Sequence, residues 1–331
     1  MYMGSEEWTM ILIGTETGLV ALDDEGRERF RALEGREVSF VDIDTDGRLL
    51  AIADESDIVA APSLGQADNS GAWSTLGALQ GARANCLADL AGRIFIGAED
   101  ARMWRMPCEG GEPERIESFD AVPTRDEWDT PWGGPPDVRS LATVAGATPA
   151  IYADIHVGWI VRSLDLGETW TQLKGLHRDV HRVNTHPARP DRVYAATAQG
   201  CFVSEDRGEP WVQHLDPFKP RNYQRCVMPD FGDPDLFLCT VSLGPHPDGE
   251  SGCEAMIFRT DDAGETWEAA HEGLPEHFYH NINTHMLAAS IQRPGVFAFH
   301  DDHESVYLGT DGAREWHRIA QVQDTLAVFV L

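Results

Sequence analysis

The sequence predicts an all-β fold, a seven-bladed β-propeller of four-stranded antiparallel blades, and three observations carry that expectation. A short motif recurs at blade-length spacing through the second half of the chain, apolar residues alternate with period two between the copies, and the two ends read as complementary parts of one blade. No stretch has the length and 3.6-residue periodicity of a long helix. The whole chain, 1–331, is therefore expected to be a single domain, a length that closed all-β repeat folds reach as one unit.

The clearest copy of the motif is Ser163-Leu164-Asp165-Leu166-Gly167-Glu168-Thr169-Trp170. It returns as Ser204-Glu205-Asp206-Arg207-Gly208-Glu209-Pro210-Trp211 and Thr260-Asp261-Asp262-Ala263-Gly264-Glu265-Thr266-Trp267, and in worn form as Thr310-Asp311-Gly312-Ala313-Arg314-Glu315-Trp316. The aspartates Asp165, Asp206, Asp262 and Asp311 step by 41, 56 and 49 residues, close to the roughly 40–50 residues of a propeller blade. A short carboxylate and a hydroxyl can bind the amides of a tight turn, the glycine accepts positive φ, and the tryptophan opens a strand whose ring packs on the next unit. These four aspartates are accordingly assigned to structure.

The motif resembles the Asp-box, or BNR, repeats of sialidase-like and sortilin-like propellers and of photosystem assembly-factor-like proteins. The resemblance is carried by the C-terminal half; over the first 130 residues only the periodicity remains. It implies a propeller whose Asp-boxes lie at turns. It also raises sialidase-type glycoside hydrolysis, but that family's Arg-Ile-Pro motif is missing, and Tyr223 is the one tyrosine expected to reach the channel.

Taken in order, Met10–Gly14, Gly18–Leu22 and Phe30–Leu33 supply three strands of a blade that lacks its innermost strand. Residues 325–331, Thr-Leu-Ala-Val-Phe-Val-Leu, form a lone apolar strand that is expected to pair with them and close the ring. Blade two is expected from Val38 to Trp73, blade three from Ala84 to about Ser118, and blade four from Val138 to Leu173. Blades five, six and seven follow over Val180–His214, Gln224–Ala269 and Asn283–Ile319. Two insertions interrupt the pattern: 119–137, long for a connection in a compact fold, and 244–254 within blade six.

Charge and cysteine usage bound the partners. Against 55 acidic residues stand 26 basic ones, of which only Lys174 and Lys219 are lysine, so the net charge is −29. Nucleic acid and anionic membrane are therefore not expected as partners. The six cysteines show neither zinc-ribbon nor disulfide-framework spacing and read as reduced, buried thiols. Met1 to Trp8 has no basic segment followed by an apolar one, so a cytoplasmic location is expected.

Strand direction places the chemistry. The Asp-boxes sit at third-to-outer turns on one face, whereas starts of inner strands, ends of middle strands and both insertions share the other. Aligned inner strands bring Asp137-Val-Arg139, Asp179-Val-His181, Tyr223-Gln-Arg225 and Asn283-Thr-His285 to that mouth. Middle-strand ends add Glu16, Asp54, Glu99, His156, His246 and His300. The favoured reading is a small-molecule site there, with a zinc, iron or copper ion held by His156, His181 and His285 and completed by His246, His300, a carboxylate or water. Arg139, Arg225 and Tyr223 would then handle an anionic substrate, with Trp128 and Trp132 of the long loop as its lid. Hydrolase, lyase or oxygenase chemistry would follow. The competing readings are a protein-binding propeller without metal, and, less supported, a sialidase.

Overall fold

The computed structural model describes residues 9–130 and 133–331. Seven four-stranded antiparallel sheets form a ring, as the repeats predict. Six blades are contiguous in the chain, running inner to outer from Val38–Ile43 through Ser74–Ala78 in blade two to Leu287–Ala289 through Glu315–Gln321 in blade seven. Blade one is composite. Thr325–Val330 is its inner strand and pairs antiparallel with Ile11–Thr15, joining Ile11 to Val330 and Ile13 to Val328, so the chain's end closes the ring.

Burial falls from the middle strands outward because both faces of a blade lie against neighbouring blades. The middle strands Ala150–Ile155 and Phe237–Ser242 are buried at every residue, which is why they read as continuous apolar runs. The inner strand Val138–Val144 alternates between buried and half-buried positions, and the outer strand Glu28–Ala32 is mostly exposed. Each core layer lies between consecutive blades. Between blades three and four, for example, Cys86, Phe95, Met103, Phe119, Val138, Ile151 and Trp170 pack together. The approach there is close enough that a Cβ on Gly97 would stand 2.5 Å from Val138 Cγ1.

Two complete Asp-boxes make the same bonds. In blade four Asp165 Oδ1 accepts the Thr169 amide at 2.8 Å, Oδ2 accepts the Thr169 hydroxyl at 2.6 Å, and the Trp170 indole donates to Gly167 O at 3.2 Å. Blade six repeats this with Asp262, Thr266 and Trp267. In blade five Pro210 replaces the threonine and has neither amide hydrogen nor hydroxyl, so the Asp206 carboxylate bonds to nothing among the described residues. The worn copy in blade seven is one residue shorter. Its Trp316 indole still donates, to Ala313 O at 3.0 Å, but the Asp311 carboxylate makes no hydrogen bond among the described residues, so of the four aspartates assigned to structure only Asp165 and Asp262 hold their turns by the side chain.

The outer strand of blade two is Ser74–Ala78, just past the expected limit at Trp73. Insertion 119–137 is not featureless: it begins within the short helix Glu117–Asp120 and contains a 3₁₀ turn, Arg125–Glu127. No helix among the described residues is long and apolar enough to cross a membrane. All six cysteines are unpaired, five of them buried.

Candidate functional site at the channel mouth

Inner strands of blades two to six share an irregularity near their mouth-side ends. Their pairing with the middle strands skips a step at Val38/Phe40, Ala84/Cys86, Val138/Leu141, Val180/Arg182 and Gln224/Cys226. Such β-bulges re-aim side chains. The residues at the skipped positions are Ser39, Asn85, Arg139 with Ser140, His181 and Arg225, so one repeated backbone device presents a ring of polar groups. In blade four Asp154 holds the bulge, its Oδ1 accepting the amides of Arg139 at 3.1 Å and Ser140 at 2.5 Å.

Ser39, Asn85, Asp137, Arg139 and His285 line an open pocket of about 330 Å³ at this mouth. Below it the channel narrows to a cavity of about 140 Å³, lined in part by Phe40, Asp42 and Arg182, and His285 borders both.

Beside Arg139, His156, Asp179 and His181 converge. Asp179 Oδ1 lies 3.1 Å from His181 Nε2 and 3.6 Å from His156 Nε2, and the two imidazole centroids are 6.1 Å apart. The Tyr223 hydroxyl is 3.2 Å from His181 Nε2. His181 Nδ1 meets the backbone oxygen of Gln224, which can only accept, so Nδ1 donates there and Nε2 is the nitrogen that faces Asp179 and Tyr223.

Burial works against protonation of both imidazoles. Burial, then the Arg139 charge, lowers His156 to about 3. Burial likewise lowers His181, against the opposing pull of Asp179. For Asp179 burial acts upward, but the His181 contact and the surrounding positive charge bring it below the usual carboxylate range. Beneath them burial pushes Asp154 up to about 7, although the Ser140 amide works against the shift.

The guanidiniums are the second feature. Arg139 is lowered by burial first and next by the charge of Arg225. Arg139 Nη1 and Arg225 Nε are buried without a hydrogen-bond partner, and among the described residues neither guanidinium has a carboxylate within 4.0 Å. Arg225 sits over the Tyr223 ring at 5.1 Å.

Of the expected site residues, the structure brings together Arg139, Arg225, Tyr223, His156 and His181. His285 is close by but differently engaged: its Nε2 donates to Arg139 O at 3.2 Å across the channel, and Phe40 packs edge-on against its ring. The donor atoms that lie close together are those of His156, Asp179 and His181, so Asp179 takes the place expected for His285. His300 Nε2 is bonded to Val322 O at 2.8 Å, and His246 is exposed on the 244–254 insertion, so neither joins the group. Trp128, expected over the mouth, is 7% exposed and packs beside Phe119 with its indole donating to Gln172 Oε1 at 3.1 Å. It fastens the loop instead of offering a ring face to a substrate. Trp132 lies outside the described residues.

Sequence reading placed Asp179 at the mouth but did not select it as a ligand. The available signal was its position two residues before His181 on one inner-strand start.

The profile of the family described as "Sortilin, neurotensin receptor 3" matches residues 158–285, the stretch that holds both complete Asp-boxes. An ancestral GH74 enzyme is similar over 99% of this chain, with TM-score 0.59 and 12% identity; the chain spans 40% of that enzyme's length. A YCF48 structure bound to D1 peptide is similar over 96% of this chain and 86% of its own, with TM-score 0.55 and 14% identity. YCF48 from Cyanidioschyzon merolae is similar over 92% and 88%, with TM-score 0.53 and 12% identity. No curated protein matches the chain. At these identities the likenesses establish the fold: the chain is an Asp-box, BNR-like β-propeller related in architecture to these proteins.

Proposed function

We propose that the channel mouth is a small-molecule site for a ligand bearing an oxyanion, a carboxylate or phosphate group, held by Arg139 and Arg225. One observation carries this reading. In a chain with 55 acidic residues, two neighbouring arginines keep buried N–H groups unbonded and have no carboxylate within 4.0 Å among the described residues. Desolvated like charges oppose folding, and a bound anion would satisfy both their hydrogen bonds and their charge. Hydrolase, lyase or oxygenase chemistry there would need a group that activates water or oxygen, and His156, Asp179 and His181 stand next to the arginines. The six free cysteines support a cytoplasmic setting as part of the same reading.

Calorimetric titration with phosphate, acetate, oxalate and longer dicarboxylates tests it. At least one should bind, with affinity falling about tenfold or more in Arg139→Met and Arg225→Met, the loss expected for a charge-assisted hydrogen-bonded contact. Failure of every anion to bind, or equal binding in both variants, overturns the reading.

A second reading, a protein-binding propeller, is favoured by Leu243 and Tyr279, large side chains 43% and 39% exposed around the 244–254 insertion. The YCF48 structure bound to D1 peptide supports the same reading. Under it, a peptide with a free C-terminal carboxylate binds better than its amide, and Leu243→Asp weakens the peptide but not small anions. Equal peptide binding by wild type and Leu243→Asp removes this reading.

A further inference from the structure

We infer that His156, Asp179 and His181 form a binding site for a divalent first-row transition metal, zinc or iron(II), with the Tyr223 phenol at its edge. The inference goes beyond oxyanion binding and stands on a different set of residues.

Donor geometry is the first argument. Ligand atoms held about 2.1 Å from one ion lie about 3.0 Å apart at a right angle and about 3.4 Å apart at the tetrahedral angle. Asp179 Oδ1 is 3.1 Å from one imidazole nitrogen and 3.6 Å from the other, and all three donor atoms fall within 4.8 Å of one another. Small side-chain adjustments suffice to centre an ion among them.

Hydrogen bonding gives the second argument. His181 donates from Nδ1 to the Gln224 carbonyl, so Nε2 is the nitrogen that faces the Asp179 carboxylate, 3.1 Å away. The Tyr223 hydroxyl lies 3.2 Å from the same nitrogen, and among the described residues the buried Asp179 Oδ1 has no hydrogen-bond donor other than a proton on His181 Nε2. A divalent cation would take the place of a proton between the imidazole nitrogen and the carboxylate. A backbone carbonyl fixing the far nitrogen is also the usual support of a metal-bound histidine.

Rigidity is the third. The His156 amide donates to Asp137 O at 3.0 Å, and the Ala198 amide donates to Asp179 O at 3.0 Å. Both donors are thus pinned where middle and inner strands meet, so little ordering is required on binding.

Two imidazoles and one carboxylate leave coordination positions open, the pattern that suits iron(II) or catalytic zinc. Those positions adjoin Arg139 and Arg225, whose positive charge repels a bare ion but favours one carrying an anionic ligand. A metal-bound oxyanion is therefore the species the mouth is charged to hold.

The test uses the untagged full chain, stripped with chelator and titrated with cobalt(II) followed by visible absorption, and with zinc followed by elemental analysis after dialysis. One ion per chain should bind with submillimolar or tighter affinity, and Asp179→Asn and His156→Gln should each weaken it by at least about 100-fold. The same variants should keep the wild-type melting temperature without metal, which separates ligand loss from misfolding. Arg139→Met and Arg225→Met should retain cobalt while losing free-anion binding, so failure of the oxyanion reading and failure of this one are distinguishable. Absence of cobalt and zinc binding in the wild type, or unchanged binding in Asp179→Asn and His156→Gln, overturns the metal site.

Discussion

On one face of the ring, Asp165 and Asp262 each bind a threonine four residues later; on the other, Asp179 meets His181 two positions on and His156 from the preceding blade. Both sets use an aspartate at a turn or strand end. The first carboxylates have every oxygen answered by donors from their own turn. Among the described residues the acceptor Asp179 Oδ1 and the donors Arg139 Nη1 and Arg225 Nε are buried without a hydrogen-bond partner in place. A face that satisfies itself locally serves stability, whereas a face that leaves buried polar atoms unanswered across blades is where a ligand completes the structure.

The sharpest break of this contrast is Trp316→Ala. The ring is 1% exposed in the blade six–seven core, and its removal should cost about 3–5 kcal/mol in urea unfolding while anion and metal binding by the folded fraction stay as they were. Next come the aspartates. Asp165→Ala and Asp262→Ala should each destabilise by about 1–3 kcal/mol, and Asp206→Ala and Asp311→Ala by less than about 0.5 kcal/mol, since only the first pair is hydrogen-bonded. Equal costs for all four would dissolve the distinction between complete and worn boxes.

On the mouth face the sign should reverse. Arg139→Met removes a desolvated charge that faces Arg225, so stability without ligand should rise by about 1 kcal/mol as anion affinity falls. A loss of stability would show that the arginines serve the fold.

The smallest expected effect is a slope. The Thr266 hydroxyl, followed by its amide, lowers Asp262 from 3.8 to about 2. A carboxyl depressed on folding stabilises fully above its unfolded value and loses that contribution as pH falls through the folded one. Stability of the wild type should therefore fall more steeply between about pH 4 and pH 2 than that of Asp262→Asn, as read from urea midpoints.

The same division decides what was legible in the sequence. The Ser163-to-Trp170 motif lies within eight consecutive residues and its bonds are local, so blades four and six could be read directly. Ring closure by 325–331 was legible because a three-stranded fragment and a lone strand imply each other. The mouth was legible only in outline. Strand direction put Arg139, Arg225, Tyr223, His156 and His181 at one end, but finding Asp179 and not His285 beside the two imidazoles depended on packing across the channel, where His285 bonds to Arg139 O. Nothing in either residue's neighbours along the chain records that bond. Trp128 illustrates the same limit: its indole is claimed by Gln172, and the loop carrying it is fastened by Arg125 to Ala101 O and Asp100 O.

The composite first blade has a kinetic corollary. Six sheets can assemble from short contiguous stretches, but pairing Ile11 with Val330 closes a loop of nearly the entire chain. By the logarithmic dependence of loop entropy on length, that closure costs about 2 kcal/mol more than joining ends one blade apart. During synthesis the ring must therefore stay an open arc until Thr325–Val330 has left the ribosome, with the inner edge of Ile11–Thr15 unpaired until then. Thr325–Val330, the strand of the ring that is made after the other 27, acts as the latch, and the site at the mouth acquires its rigid frame only when that latch engages.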